Sequence, residues 1–177
     1  MIGRRAVAVT EGAADLEGQL ADFFAVHYDR LVRLAGLICH SHASVEDAVQ
    51  AAMEQAWRRR HTLRDPGRIR PWLDQIVVRE SIRLNRRPWW ARFPQPVESG
   101  GPEPSDRHGG VDPAWVALSV AFQKLPIEQR AVVALHLYAG YPVEQTAELM
   151  GTGVETTRSR LRIARQRLRR ELGEEER

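Results

Sequence analysis

At 177 residues, 43 % of them apolar, the chain is long enough for one or two small domains with true cores. The net charge of +3 hides a bias: of 26 basic residues all but Lys124 are arginine, a pattern a GC-rich genome would also produce but one that suits bidentate contacts to phosphate and guanine. The lone Cys39 excludes an intrachain disulfide or a cysteine-cluster zinc site, and no apolar run approaches the roughly 20 residues needed to span a bilayer. Residues 1–18 lack the apolar core of a signal peptide and read as an unordered start. A cytoplasmic protein without membrane insertion is expected.

Helical periodicity dominates and strand alternation is nearly absent, so the predicted fold is all-α. Leu20, Phe23, Phe24, His27, Tyr28, Leu31, Leu34, Ala35 and Ile38 fall on one helical face. His40-Ser41-His42 interrupts it. Ser44 is the expected N-cap of a second helix, with Asp47 completing a capping box. That helix runs to about Arg60 and buries Val45, Ala48, Val49, Ala52, Ala56 and, at its edge, Trp57. Asp65-Pro66-Gly67 marks a turn. Pro71 fits the first turn of a third helix, which ends near Arg87 with Trp72, Leu73, Ile76, Val77 and Leu84 inward.

Composition shifts at Pro88. Residues 88–111 are dense in proline and glycine and poor in aliphatics, as a linker is. Helical patterning resumes at Asp112, an N-cap with Pro113 in first position, and Leu125-Pro126 divides the segment that follows. The chain therefore divides into a first helical module at residues 19–87, the linker, and a second helical module at residues 112–177. Within the second, a short amphipathic helix ends at Gly151. A small-residue turn follows, and then a helix with seven arginines between Arg158 and Arg170. Ala147 is small where two helices cross closely, and Gly151 sits where the chain must turn sharply. This is the grammar of a helix-turn-helix whose second helix enters the major groove.

Between Arg58 and Arg92 lie eleven arginines, interleaved with Trp57, Trp72, Trp89, Trp90 and Phe93. Guanidiniums neutralise phosphates and aromatic rings stack on exposed bases, the combination single strands require. Taken singly, each arginine is better explained by a solvated helix face, and Trp72 by the core. The cluster as a whole, beside a duplex reader, points to nucleic acid. Trp89 and Trp90 follow Pro88 with no evident core to join, and are open to DNA, a protein partner or the end of the first module. Asp47, Gln50 and Glu54 form an acidic-polar stripe on the second helix, either a solvated face or a dock for a basic partner helix. The six histidines are scattered, and neither a phosphate-cradling glycine loop nor a nucleophile elbow occurs. Neither catalytic residues, nor a metal, nor a cofactor are expected.

In order and spacing these elements resemble the extracytoplasmic-function (ECF) group of sigma factors, the promoter-recognition subunits of bacterial RNA polymerase. YDRLVRLAGLI, VEDAVQAAMEQAW, an arginine-rich turn and PWLDQIVVRESIRLNRR resemble sigma region 2. LPIEQRAVVALHLYAGYPVEQTAELMGTGVETTRSRLRIARQRLRR resembles region 4. The resemblance implies that Asp47, Gln50 and Glu54 grip the β′ clamp of core polymerase, with the β flap as a second contact. It assigns Arg64, Arg68, Arg70, Trp72, Arg79, Arg83, Arg86 and Arg87 to the minus-ten element. The turn from Leu63 to Arg70 would capture a flipped base and the helix after it would lie along the melted strand. Glu155, Thr156, Arg158, Ser159, Arg162 and Arg165 are assigned to the minus-thirty-five element.

Two departures stand out. Arg79 and Arg83 replace the family's frequent asparagine and aspartate, and Thr146 and Thr157 replace a common isoleucine and valine. The threonines would either loosen the helix-turn-helix or bond back to the preceding turn. An anti-sigma partner is a further implication of the family. The free protein is expected to be flexible, and a buried surface between modules would mark an inhibited form. The alternatives are a two-domain helix-turn-helix regulator that does not join polymerase, and a helical RNA-binding protein.

Overall fold

The computed structural model describes residues 3–86 and 113–173. Every regular element among them is helical. α1 runs Gly3–Ile38 and buries Leu20, Phe24, Leu31, Leu34, Ala35 and Ile38 along one stripe. Its backbone is helical well before residue 19, where the sequence suggested an unordered start. Ala6, Val7, Ala8 and Val9 offer no breaker, and extending an existing helix costs far less than nucleating one. Tyr28, assigned to the apolar face, is 44 % exposed, while His27 lies against the Phe23 ring at 4.1 Å.

α2 runs His42–Arg59. Its N-cap is Ser41, not Ser44: the Ser41 hydroxyl accepts the Ser44 N–H at 3.3 Å, so the helix begins a turn-fraction earlier than expected. Val45, Ala48, Val49, Ala52 and Ala56 are buried, and three alanines among five let α3 approach closely. Trp57 leaves this core. It is 42 % exposed, with the Arg60 guanidinium 5.3 Å from its ring centre. Two 3₁₀ turns, Arg60–Thr62 and Pro66–Arg68, lead into α3, Ile69–Asn85. Consecutive Ile76, Val77 and Val78 are all buried on α3, so this helix is enclosed on more than one side.

The second module comprises α4 (Pro113–Gln123), α5 (Ile127–Val133), α6 (Val143–Met150) and α7 (Val154–Glu171). α5 widens into a π-helical turn, Ala134–Tyr138, closed by the Ala139 N–H on the Ala134 carbonyl at 2.9 Å. α6 ends at Gly151, whose φ of 65° is the left-handed conformation that favours glycine. Thr152 N–H then reaches back to the Ala147 carbonyl at 3.0 Å, closing a Schellman cap, and Ala147 is buried at the crossing. Thr146 and Thr157 are fully buried, and their hydroxyls donate back one turn to the Pro142 carbonyl (3.0 Å) and the Gly153 carbonyl (3.2 Å). The turn is thus closed by polar caps where the family commonly packs aliphatics.

The two modules are not apart. Ala131, Ala134, Leu135, Ala139, Tyr141 and Leu149 join the first module's core in one apolar cluster. A second cluster of Leu125, Val132, Val133, Leu161 and Ala164 holds the second module together. α5 therefore has two apolar faces, one toward α7 and one toward α1 and α3. This departs from the flexible arrangement the linker suggested. Periodicity signals a second apolar face, but not which element covers it. The linker itself, with Trp89 and Trp90, lies outside the described residues.

Candidate nucleic-acid and polymerase interface

α7 buries Thr157, Leu161 and Ala164 and leaves Glu155, Thr156, Arg158, Ser159, Arg162 and Arg165 exposed. Arg158, Arg162 and Arg165 are spaced by four and three residues, so their guanidiniums line one side of the helix. Arg158 pairs with Glu155 on its own helix and with Glu144 on α6 at 3.0 Å. Both pairs are exposed and lie near the start of α7, the end that meets base edges in a helix-turn-helix. All six assigned residues thus share one accessible surface.

On α2, Asp47, Gln50 and Glu54 are exposed on the side opposite the buried alanines. Gln50 Nε2 donates to Glu54 at 3.5 Å and Arg58 donates to Glu54 at 2.9 Å. The stripe exists as drawn, though Arg58 neutralises part of its lower end.

The minus-ten set is divided. Leu63 is buried and pins the turn, while the Asp65 carboxylate accepts the Gly67 N–H at 2.9 Å and fixes its bend. Arg64, Arg79 and Arg83 are exposed, and Arg83 Nε donates to the buried carboxylate of Glu80 at 2.6 Å. Trp72 is half-buried and packs on the first module's core. Arg87 lies outside the described residues. The other three face the second module. Arg68 pairs with Glu148 at 3.4 Å. Arg70 donates to the Ala139 carbonyl at 3.1 Å and sits 5.9 Å over the Tyr141 ring. Arg86 pairs with Glu128.

The most buried polar contact between the modules involves residues that periodicity did not single out. Asp74 on α3 is wholly buried and accepts both guanidinium nitrogens of Arg30, at 2.5 and 3.0 Å. Its Oδ2 also accepts the Tyr141 hydroxyl at 2.7 Å. Burial works against charge on Arg30, but the hydrogen bond and charge of Asp74 outweigh it and raise its pKa above the usual guanidinium value. Burial, then the Asp74 charge, hold the Tyr141 phenol more firmly protonated than usual. The available sequence signal was Asp74 itself, a carboxylate between the apolar Leu73 and Ile76 of α3.

A fully buried cation, Arg130 on α5, donates to Gln123 at 2.5 Å and meets the His40 ring nitrogens at 2.7 and 3.0 Å. Desolvation lowers its pKa to about 10. Among the described residues no cluster of His, Cys, Asp and Glu could hold a metal, and no helix is long and apolar enough to cross a membrane.

Comparison with known proteins agrees with this geometry. Residues 23–91 match the model of sigma-70 region 2 and residues 115–168 that of sigma-70 region 4. The ECF RNA polymerase sigma factor SigM of Mycobacterium tuberculosis is 36 % identical over 150 residues, covering 85 % of this chain and 75 % of SigM. SigL of the same species, also an ECF sigma factor, is 33 % identical over 172 residues, covering 92 % of this chain and 94 % of SigL. Among solved structures, the Bartonella quintana sigma factor RpoE, crystallised with the anti-sigma factor NepR, shares the fold. Its TM-score is 0.69 at 23 % identity, over 89 % of this chain and 98 % of that one. The chain belongs to the ECF group of sigma-70 factors, the subunits that bind core RNA polymerase and direct it to promoters. A regulator acting apart from polymerase is not favoured.

Proposed function

We propose that this sigma factor reads its promoters at two points through the residues assigned above. The α7 face of Glu155, Thr156, Arg158, Ser159, Arg162 and Arg165 reads duplex DNA at minus thirty-five by direct contact with base edges and phosphates. The Leu63–Arg70 turn and the arginines of α3 hold the melted minus-ten strand. Unpairing a base costs a few kcal/mol, which a fitted pocket offsets. Asp47, Gln50 and Glu54 dock on the β′ clamp, and the second module meets the β flap. The work is binding and not catalysis, and its place is the cytoplasm, with polymerase. A partner comparable to the anti-sigma factor of the Bartonella protein is part of this reading.

The observation that supports it best is the single exposed surface on α7, six assigned residues over a helix whose other side is packed. Replacing Asp47 and Gln50 together by alanine tests the division of labour. Core binding, followed by fluorescence anisotropy, is expected to weaken about tenfold or more, while binding to a minus-thirty-five duplex stays at the wild-type level. Equal loss of both activities contradicts the assignment.

A further inference from the structure

The contacts between the modules fall on the surface assigned to the melted strand. Oxygens of the second module occupy guanidiniums of the first: the Glu148 carboxylate meets Arg68, the Ala139 carbonyl meets Arg70, and the Glu128 carboxylate meets Arg86. Gln75, in the middle of α3, donates to the Glu148 and Leu149 carbonyls at the end of α6, at 3.5 and 3.4 Å. Gly151 closes off the same helix beside Arg79: a Cβ there would lie 3.7 Å from that guanidinium. Arginines that donate to phosphate oxygens donate to carboxylate and carbonyl oxygens in the same geometry. The second module therefore stands where a nucleic-acid backbone would.

Most of these contacts are exposed and individually weak. The Asp74–Tyr141 bond is different, because it is buried on both sides. The Arg30–Asp74 ion pair is complete within the first module, so the carboxylate keeps its charge partner whether or not the second module is present. Oδ2, already bonded to Arg30, has a second lone pair that accepts the Tyr141 hydroxyl from across the interface. The π-helical turn and Gly140, at φ 80°, set Tyr141 at that point, immediately after the Arg70 contact at Ala139. Phenylalanine at position 141 would fill the same space without the bond.

We propose that the Tyr141–Asp74 hydrogen bond latches the free protein in a closed, self-masked state, in which the second module covers the strand-binding arginines of the first. Joining polymerase and promoter requires this bond to break, so the closed population lowers apparent affinity in proportion to the open fraction. The inference rests on the reading of the Leu63–Arg70 turn and α3 as the strand-binding surface.

The test uses the full chain and Tyr141→Phe, which removes one hydroxyl and leaves Asp74 paired with Arg30. Small-angle X-ray scattering reads closure without reference to any activity. Wild type is expected to be compact and Tyr141→Phe to contain a larger extended fraction. Apparent affinity for core polymerase on a minus-ten fork-junction DNA is expected to rise about tenfold, the scale of a hydrogen bond to a charged acceptor. Glu128→Lys, which opposes Arg86 across the same interface and leaves Tyr141 in place, is expected to shift both readings the same way by a smaller factor. An extended wild-type chain, or two variants as compact and as weakly binding as wild type, overturns the latch. Opening without a gain in affinity overturns the masking. Absence of fork-junction binding by every protein, with active core, overturns the reading of α3 on which the inference rests.

Discussion

The two faces proposed to meet nucleic acid are built from the same residue type and held in different ways. On α7, Arg162 and Arg165 are exposed on a helix anchored by Thr157, Leu161 and Ala164, and Arg158 is steadied by carboxylates of its own module. On the first module, Arg68, Arg70 and Arg86 are engaged by the second module. Arg158 is paired with carboxylates of its own module, whereas Arg68, Arg70 and Arg86 are paired across to the other module. The difference matches the two substrates. Duplex DNA is available at any time, but a melted strand exists only once polymerase is present, so an exposed strand-binding surface has nothing to bind before assembly.

The largest perturbation removes the residue on which the first module and its cover both depend. Asp74→Ala leaves the Arg30 guanidinium without its carboxylate and the Tyr141 hydroxyl without an acceptor. Losing one partner of a buried pair costs about 3–5 kcal/mol. Urea denaturation is expected to report a loss of that order, larger than for any single residue of the α7 face. A loss under about 1 kcal/mol would mean that this site is not the buried joint described.

Next in size is the readout face. Arg158→Ala is expected to weaken a minus-thirty-five duplex by about 1–3 kcal/mol and to relax preference at one base position, if its guanidinium makes a bidentate base contact. Core binding should not change. Gly151→Ala comes third. Its left-handed φ costs an L side chain about 1–2 kcal/mol, visible as a lower melting temperature, with α7 affinity falling as the helix-turn-helix loses its set angle.

A smaller effect separates the faces by pH. The Arg86 hydrogen bond, against opposing burial, lowers the pKa of Glu128 below the usual carboxylate value. A depressed carboxylate contributes stability that is complete above its unfolded pKa and lost as pH falls through the folded value. Closure is therefore expected to weaken as pH drops below about 4.5, and Glu128→Gln should flatten that dependence in scattering. Smallest of all, Thr157→Val exchanges a back-bonding hydroxyl for a methyl group at a fully buried site. The change in stability should stay within about 1 kcal/mol, because the hydroxyl bonds are local and the shape is kept.

Much of this was legible in the chain. The apolar spacing of α1 and α2, the arginine-rich α7 and the small residues at Ala147 and Gly151 each have one physical cause and gave one answer. The exposed residues of α7 and the acidic-polar stripe on α2 followed from the same periodicity, since a helix that buries one face displays the other. The alternative offered for Thr146 and Thr157, hydroxyls bonding back one turn, is the arrangement found. What sequence could not convey is what meets what. α5 carries apolar residues on two faces, and only the tertiary structure reveals that the second covers α1 and α3. Asp74, Tyr141 and Arg30 are far apart in sequence and individually ordinary, and their meaning arises from one shared carboxylate. Trp57 and the Ser44 cap were misjudged for a local reason. A helix edge and an adjacent serine three residues earlier offer nearly equal solutions, and small packing differences decide between them.

Both faces are proposed to serve one act, promoter-directed initiation. The most direct measurement adds the purified protein to core RNA polymerase and a pool of genomic fragments and sequences the run-off transcripts. A discrete set of start sites is expected, with a shared upstream duplex element whose preference relaxes at one base position in Arg158→Ala, and a shared element near the start. Active core yielding no specific transcripts, alongside tight duplex binding by a dimer of the protein alone, would contradict it.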